Sequence, residues 1–204
     1  MIEVFKQTLN SRYLVWAVLF VPSIPFLAEL VHQDRYYAEI MYESGVLATQ
    51  LTIAALAITP LLRITAGVRQ VQIPLLWLQL RRRAIGVAAF GYAALHTLFY
   101  VREIGSFELI LLELEEPSLM AGWLAFLVLL LLTATSNTFS TRRLGPAWKA
   151  LQRASYLAAF ATFLHWWLID QFLKVMVIWF LPLLILQVAR LAKARWEQKV
   201  RTNG

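Results

Sequence analysis

The sequence predicts an all-α, polytopic membrane protein, one domain over residues 1–204 folded as a six-transmembrane-helix bundle with both termini cytoplasmic. Three observations predict it. Of the 204 residues, 60% are apolar or aromatic and only 15% are charged, against about 45–50% and about 25% in a soluble domain. The charges are bunched, leaving long runs with none. The net charge of +7 sits in short connections between apolar runs, which is the signature of lipid contact and not of a nucleic-acid surface, so no nucleic acid is expected as a partner.

A helix needs about 20 mainly apolar residues to cross a bilayer, and six segments qualify, at about 13–31, 46–64, 84–101, 119–136, 151–169 and 173–189. The first is polar at its start and has no small-residue cleavage site after it, so it reads as a retained span and not a cleaved signal. Pro60 in the second and Pro182 in the sixth are expected to bend their helices. Gly86 and Gly91 in the third offer close approach to a neighbouring group. The fifth and sixth are joined only by Asp170, Gln171 and Phe172, which makes them a tight hairpin. Beyond the sixth, Gln187 to Arg201 forms a basic extension expected at the cytoplasmic lipid surface. Trp123, Trp166, Trp167, Trp179 and Tyr100 read as interfacial belt or bundle packing.

Orientation follows from the basic residues. All 19 lysines and arginines but Arg35, Arg102 and Lys174 fall on the side of the two termini, in the tails and in the second-to-third and fourth-to-fifth connections. Positive-inside placement makes that side cytoplasmic. The acidic residues gather opposite, where Glu113, Glu115 and Glu116 give a negative outer loop that reads as a solvated connection or a steering surface for a basic partner.

The chain has three histidines. His32, beside Gln33, Asp34 and Arg35, reads as a solvated loop residue. His96 lies 13 residues beyond Arg83 and His165 lies 12 beyond Arg153. On parallel helices entering from one side, both imidazoles then lie about 18–20 Å from the basic rim, at matching depth in the outer half. Ionisable residues inside a span are costly and mark function by default. Two imidazoles at one level suit axial ligation of one haem iron; two independent hydrogen bonds to neighbouring helices are the alternative. Absence of cysteine excludes disulfides, thiolate metal sites and a cysteine nucleophile. No Gly-rich phosphate loop or H-E-x-x-H motif appears. No acid–base pair or nucleophile is evident either, so chemistry would be a cofactor's and the chain is not expected to be a catalyst alone.

The run Ile58-Thr59-Pro60-Leu61-Leu62-Arg63, the run Leu80-Arg81-Arg82-Arg83-Ala84-Ile85-Gly86 with His96 after it, Thr141-Arg142-Arg143-Leu144-Gly145 with Trp148, and the Tyr156 to His165 stretch together resemble the MsrQ (YedZ) family. These are haem-binding membrane subunits of periplasmic methionine sulfoxide reductase systems, in the ferric-reductase-like transmembrane superfamily. The resemblance implies a bacterial inner-membrane subunit with haem b and FMN. It would take electrons from quinol (the quinone pool) or a flavin reductase and pass them to a periplasmic molybdopterin-containing reductase subunit. It carries His96 and His165 over as the haem ligands, and makes Arg82 and Arg83 candidate contacts for a phosphate or a haem propionate. One position departs: where the family pattern has a second histidine near the cytoplasmic end of the fifth helix, this chain has Gln152. One haem is therefore expected, near the outer face. Two other functions stay open: a stand-alone cytochrome b acting as a ferric or quinone-linked reductase, and a small non-redox transporter or assembly factor.

Overall fold

The computed structural model of the chain describes residues 11–32, 37–169 and 173–203, and every regular element among them is helical. The N-terminal segment is α1 (Arg12–Phe20), a 3₁₀ turn (Val21–Ser23) and α2 (Ile24–His32). Ser11 caps α1 by accepting from the Tyr13 N–H at 3.2 Å. The tightening follows from Pro22 and Pro25, whose missing N–H groups interrupt the α-helical ladder, while Ser23 Oγ donates to the Phe20 carbonyl at 2.6 Å.

The centre is a long hairpin, α3 (Tyr37–Ile64) and α4 (Arg69–Ile104). Gly67 turns the chain between them at φ 99°, and Gly105 ends α4 at φ 65° with its N–H on the Val101 carbonyl; such left-handed positions are nearly free of cost only for glycine. A short helix α5 (Phe107–Glu113), capped by Ser106, leads to α6 (Pro117–Ala134), which opens on a proline at its first position. Two short helices follow, α7 (Thr138–Leu144) with Asn137 as its cap and α8 (Pro146–Gln152), then α9 (Ser155–Leu168) and α10 (Leu173–Asn203).

In the bundle α3 packs along α4, α6 along α9, and α10 against α3. Phe26, Ile40, Ala48, Tyr92 and Phe99 form one buried cluster; Ile53, Leu56, Ala159 and Leu183 tie α3 to α9 and α10. Polar ties lock the same surfaces. Tyr92 donates to the Leu19 carbonyl at 2.7 Å and so fastens α1 to α4. Lys193 Nζ donates to the Arg63 carbonyl at 2.9 Å, closing the end of α3 from α10. The outer faces of α6 and α10 remain apolar and exposed, including Leu127, Leu130, Leu184 and Ile185, as a lipid-facing surface requires.

Among the described residues five segments are long and apolar enough to cross a membrane: Tyr13–Val31, Tyr37–Ile64, Arg69–Ile104, Pro117–Ala134 and Met176–Thr202. The expected span at 151–169 is α9, with 14 residues, about 21 Å of helix. It starts late because the chain turns at Arg153 and Ala154 after α8. Arg81, Arg82 and Arg83, expected in a connection, lie inside α4, since arginine is a good helix former and nothing there stops the helix. Glu39 and Glu43 likewise lie in the first turns of α3. His32 closes α2 and does not sit in a loop. Lys6, Gln33–Arg35 and the hairpin connection Asp170–Phe172 lie outside the described residues.

Candidate functional site

The four helices α3, α4, α6 and α9 enclose a cavity of about 180 Å³ into which His96 and His165 both project. Their ring centroids are 6.2 Å apart and the ring planes are 85° to one another. Each is anchored in the same way. His96 Nδ1 is 2.7 Å from the Met41 carbonyl oxygen of α3, and His165 Nδ1 is 2.7 Å from the Ser118 carbonyl oxygen of α6. A carbonyl can only accept, so each Nδ1 carries the proton and each neutral ring keeps its lone pair on Nε2.

The rest of the cavity wall offers little competition for polar ligands. Thr49, Thr52, Thr97 and Thr162 all line it, yet each donates its hydroxyl to the carbonyl four residues earlier in its own helix, at 2.8–2.9 Å. Tyr100, which also lines the cavity, donates to Glu113 Oε2 at 2.7 Å. What is left is a largely apolar slot walled by Ala48, Ala93, Ala125, Phe126 and Leu129, into which the two imidazoles project. The ring gap has chemical meaning. A metal–imidazole bond of about 2.0 Å, plus about 1.1 Å from nitrogen to ring centre, taken on both sides gives about 6.2 Å. The 6.2 Å between the ring centres matches that sum. Among the described residues no group of three or more His, Asp or Glu side chains is placed to hold a metal ion, so an ion held here needs its remaining ligands from elsewhere.

A second, larger cavity of about 570 Å³ lies toward the other end of the bundle and meets the first at Thr52 and Leu129. It is basic: Arg82, Arg83, Lys149 and Arg153 line it, and among the described residues no Asp or Glu does. Several of its groups clasp the end of α6. Arg83 Nε donates to the Ser136 carbonyl at 2.7 Å, Trp148 Nε1 to the Thr135 carbonyl at 3.0 Å, and Gln152 Nε2 to the Leu132 carbonyl at 3.3 Å. Arg82 donates to Thr59 Oγ1 at 3.3 Å. The structure thus brings His96 and His165 together in one cavity and gathers Arg82, Arg83 and Gln152 in the other.

Several expectations about neighbours change. Trp123, Trp166 and Tyr100 line the histidine cavity, and Trp166 is buried against Tyr42; only Trp167 of that tryptophan pair is exposed. A side chain added at Gly86 or Gly91 would meet no protein atom within 4 Å, so neither mediates a close approach between helices. The glycines that do are Gly45 and Gly122, against His96 and His165. Neither stands out in the sequence, because each lies far along the chain from the ring it faces.

Residues 44–163 match the model of the family described as ferric reductase like transmembrane component, a stretch that contains Gly45, His96 and Gly122 and ends two residues before His165. Curated relatives carry the name protein-methionine-sulfoxide reductase heme-binding subunit MsrQ. The chain is 32% identical to that of Pectobacterium atrosepticum over 188 residues, 89% of this chain and 87% of the relative. It is 30% identical to that of Salmonella arizonae over 205 residues, 93% of this chain and 99% of the relative. Against Bordetella pertussis the identity is 33% over 127 residues, and the chain spans 58% of that relative's length. No solved structure matches. The chain belongs to the ferric-reductase-like transmembrane family and, within it, groups with the MsrQ relatives.

Proposed function

We propose that this member of the family holds one haem b between His96 and His165 and passes electrons to a periplasmic methionine sulfoxide reductase whose molybdopterin-containing subunit docks at the outer face. The observation that carries the reading is the histidine pair: two rings 6.2 Å apart, each with Nδ1 already bonded to a backbone carbonyl. Such an anchor fixes the tautomer and raises the basicity of Nε2 as a ligand. The pair supplies two ligands only, which suits an iron that brings its equatorial nitrogens in a macrocycle. When bound, haem supplies reversible one-electron transfer. The protein's own part is to hold the iron through two Nε2 atoms, to orient both rings, and to keep the slot apolar through the self-bonded threonines.

The basic cavity supports the donor side of the same reading. Arg82 and Arg83 there are suited to the phosphate of FMN or to a haem propionate, because guanidinium groups bind such anions through paired hydrogen bonds. Electrons would enter at this end from quinol or a flavin reductase. Basic residues crowd this end and the C-terminal helix, so it is assigned to the cytoplasm of a bacterial inner membrane, with both termini on that side. Gln152 ends α8, separated from α9 and His165 by the turn at Arg153 and Ala154, and its amide is engaged with α6. Among the described residues no imidazole lines this cavity, and we assign one haem per chain.

The test is haem content by pyridine haemochrome on detergent-purified protein, with a reduced-minus-oxidised spectrum. One b-type haem per chain, lost in His96→Ala and in His165→Ala, supports the reading. A colourless chain from haem-replete cells contradicts it.

A further inference from the structure

The two histidines are held by matching devices. On α3 the carbonyl of Met41 receives His96, and Gly45 stands four residues on; on α6 the carbonyl of Ser118 receives His165, and Gly122 stands four residues on. The glycine lies one turn above its carbonyl and faces the same ring. A Cβ at Gly45 would fall 2.8 Å from His96 Nδ1 and 3.1 Å from Cε1. A Cβ at Gly122 would fall 2.9 Å from His165 Nδ1 and 3.0 Å from Cε1. The first of each pair is closer than real Cβ contacts come, so any side chain there must displace the imidazole.

The remaining glycines sharpen the point. Gly67, Gly105 and Gly145 serve turns at positive φ, and Gly86 and Gly91 face open space. Among the described residues only the two beside the imidazoles are bare because another side chain occupies the room. We infer that Gly45 and Gly122 are positioning residues: each lets an imidazole lie against the helix backbone with its Nδ1–H on the carbonyl one turn earlier, and together they set the two ring planes 85° apart. The inference rests on ligation of haem iron by His96 and His165.

It has a spectroscopic consequence. Perpendicular axial imidazoles leave the two iron orbitals that bond to them nearly equal in energy, so ferric low-spin haem gives one strongly anisotropic line at low field in electron paramagnetic resonance. Rings turned toward parallel give an ordinary rhombic three-line spectrum. A methyl at Gly45 or Gly122 must tilt its ring and lengthen the Nδ1–H bond to the carbonyl, which disturbs both the plane angle and the ligand's basicity.

The experiment titrates hemin into detergent-solubilised apo-protein and records the ferric spectrum of the loaded chain, for wild type, Gly45→Ala, Gly122→Ala and Gly91→Ala. The expected result is the single low-field line in wild type and Gly91→Ala. Each of the other two variants should bind hemin about 10–100-fold more weakly and show a displaced or rhombic signal with a shifted midpoint potential. Wild-type affinity and an unchanged line in both variants would overturn the assignment while leaving histidine ligation standing. A wild type that binds no hemin would remove the ligation reading and this one with it. Where Gly45→Ala accumulates poorly, Gly45→Ala/His96→Ala decides: recovery to the level of His96→Ala supports a clash with the ring, and no recovery overturns it.

Discussion

Tyr100→Phe isolates the polar tie between α4, where Tyr100 lines the histidine cavity, and the short helix α5. Tyr100 Oη donates to Glu113 Oε2 at 2.7 Å. The only other anchor visible in α5 is Ile110, which is buried, whereas Phe107, Leu109, Leu111 and Leu112 are exposed. A hydrogen bond to a charged partner contributes about 1.5–3 kcal/mol; the pair is half-exposed, so screening brings this to about 1–1.5 kcal/mol. At about 1.4 kcal/mol per factor of ten, loss of the hydroxyl raises the population of the opened helix about 5–10-fold. Hydrogen exchange read by mass spectrometry in nanodiscs measures it: amides of residues 107–113 should exchange faster by that factor, with α6 as the internal reference. Unchanged exchange over α5 would refute the reasoning. An equal rise across α4 and α6 would also refute it, by showing a global and not a local effect.

Three further outcomes follow from the basic end of the bundle. Gln152→His adds an imidazole to a cavity that no histidine among the described residues lines, so haem per chain by pyridine haemochrome should stay at the wild-type value; a doubling would show that another residue there serves as a ligand. Arg82→Ala and Arg83→Ala each remove one guanidinium from the basic cavity, and flavin retained per chain, read by fluorescence after denaturation, should fall about tenfold for a lost charge-assisted contact. Retention at the wild-type level in both would place the phosphate elsewhere. Lys193→Ala uncaps the Arg63 and Ile64 carbonyls; a partly exposed cap contributes about 0.5 kcal/mol, so exchange at the end of α3 should rise about twofold, without change in haem content.

Helices and their apolar faces were largely legible because composition and run length report lipid burial directly. The matching of His96 and His165 was legible too, since distance from a basic rim converts to depth at a fixed rise per residue. What escaped was set by contacts distant in sequence. The late start of α9 depends on Trp148 and Gln152 reaching across to the end of α6, which no local pattern around Leu151 reveals. The continuity of α4 through Arg81–Arg83 was hidden because positive-inside counting treats any basic cluster as a connection, although arginine is at home in a helix that projects beyond the bilayer. Gly86 and Gly91 share their helix with His96, but the glycines that a ring presses against are on the partner helices, Gly45 and Gly122. The tryptophans read as belt or as bundle packing, since a membrane span uses them for both, and Trp123 and Trp166 are of the second kind, lining the histidine cavity.

The central claim is that His96 and His165 are two ligands of one iron, and haem per chain tests it most directly, measured on wild type, His96→Ala, His165→Ala and the double variant. The account predicts one haem b in the wild type and none that survives purification in any of the three variants. A single variant that keeps a full complement of low-spin haem would contradict it, because that haem would then be ligated without one of the two rings that face each other across the cavity.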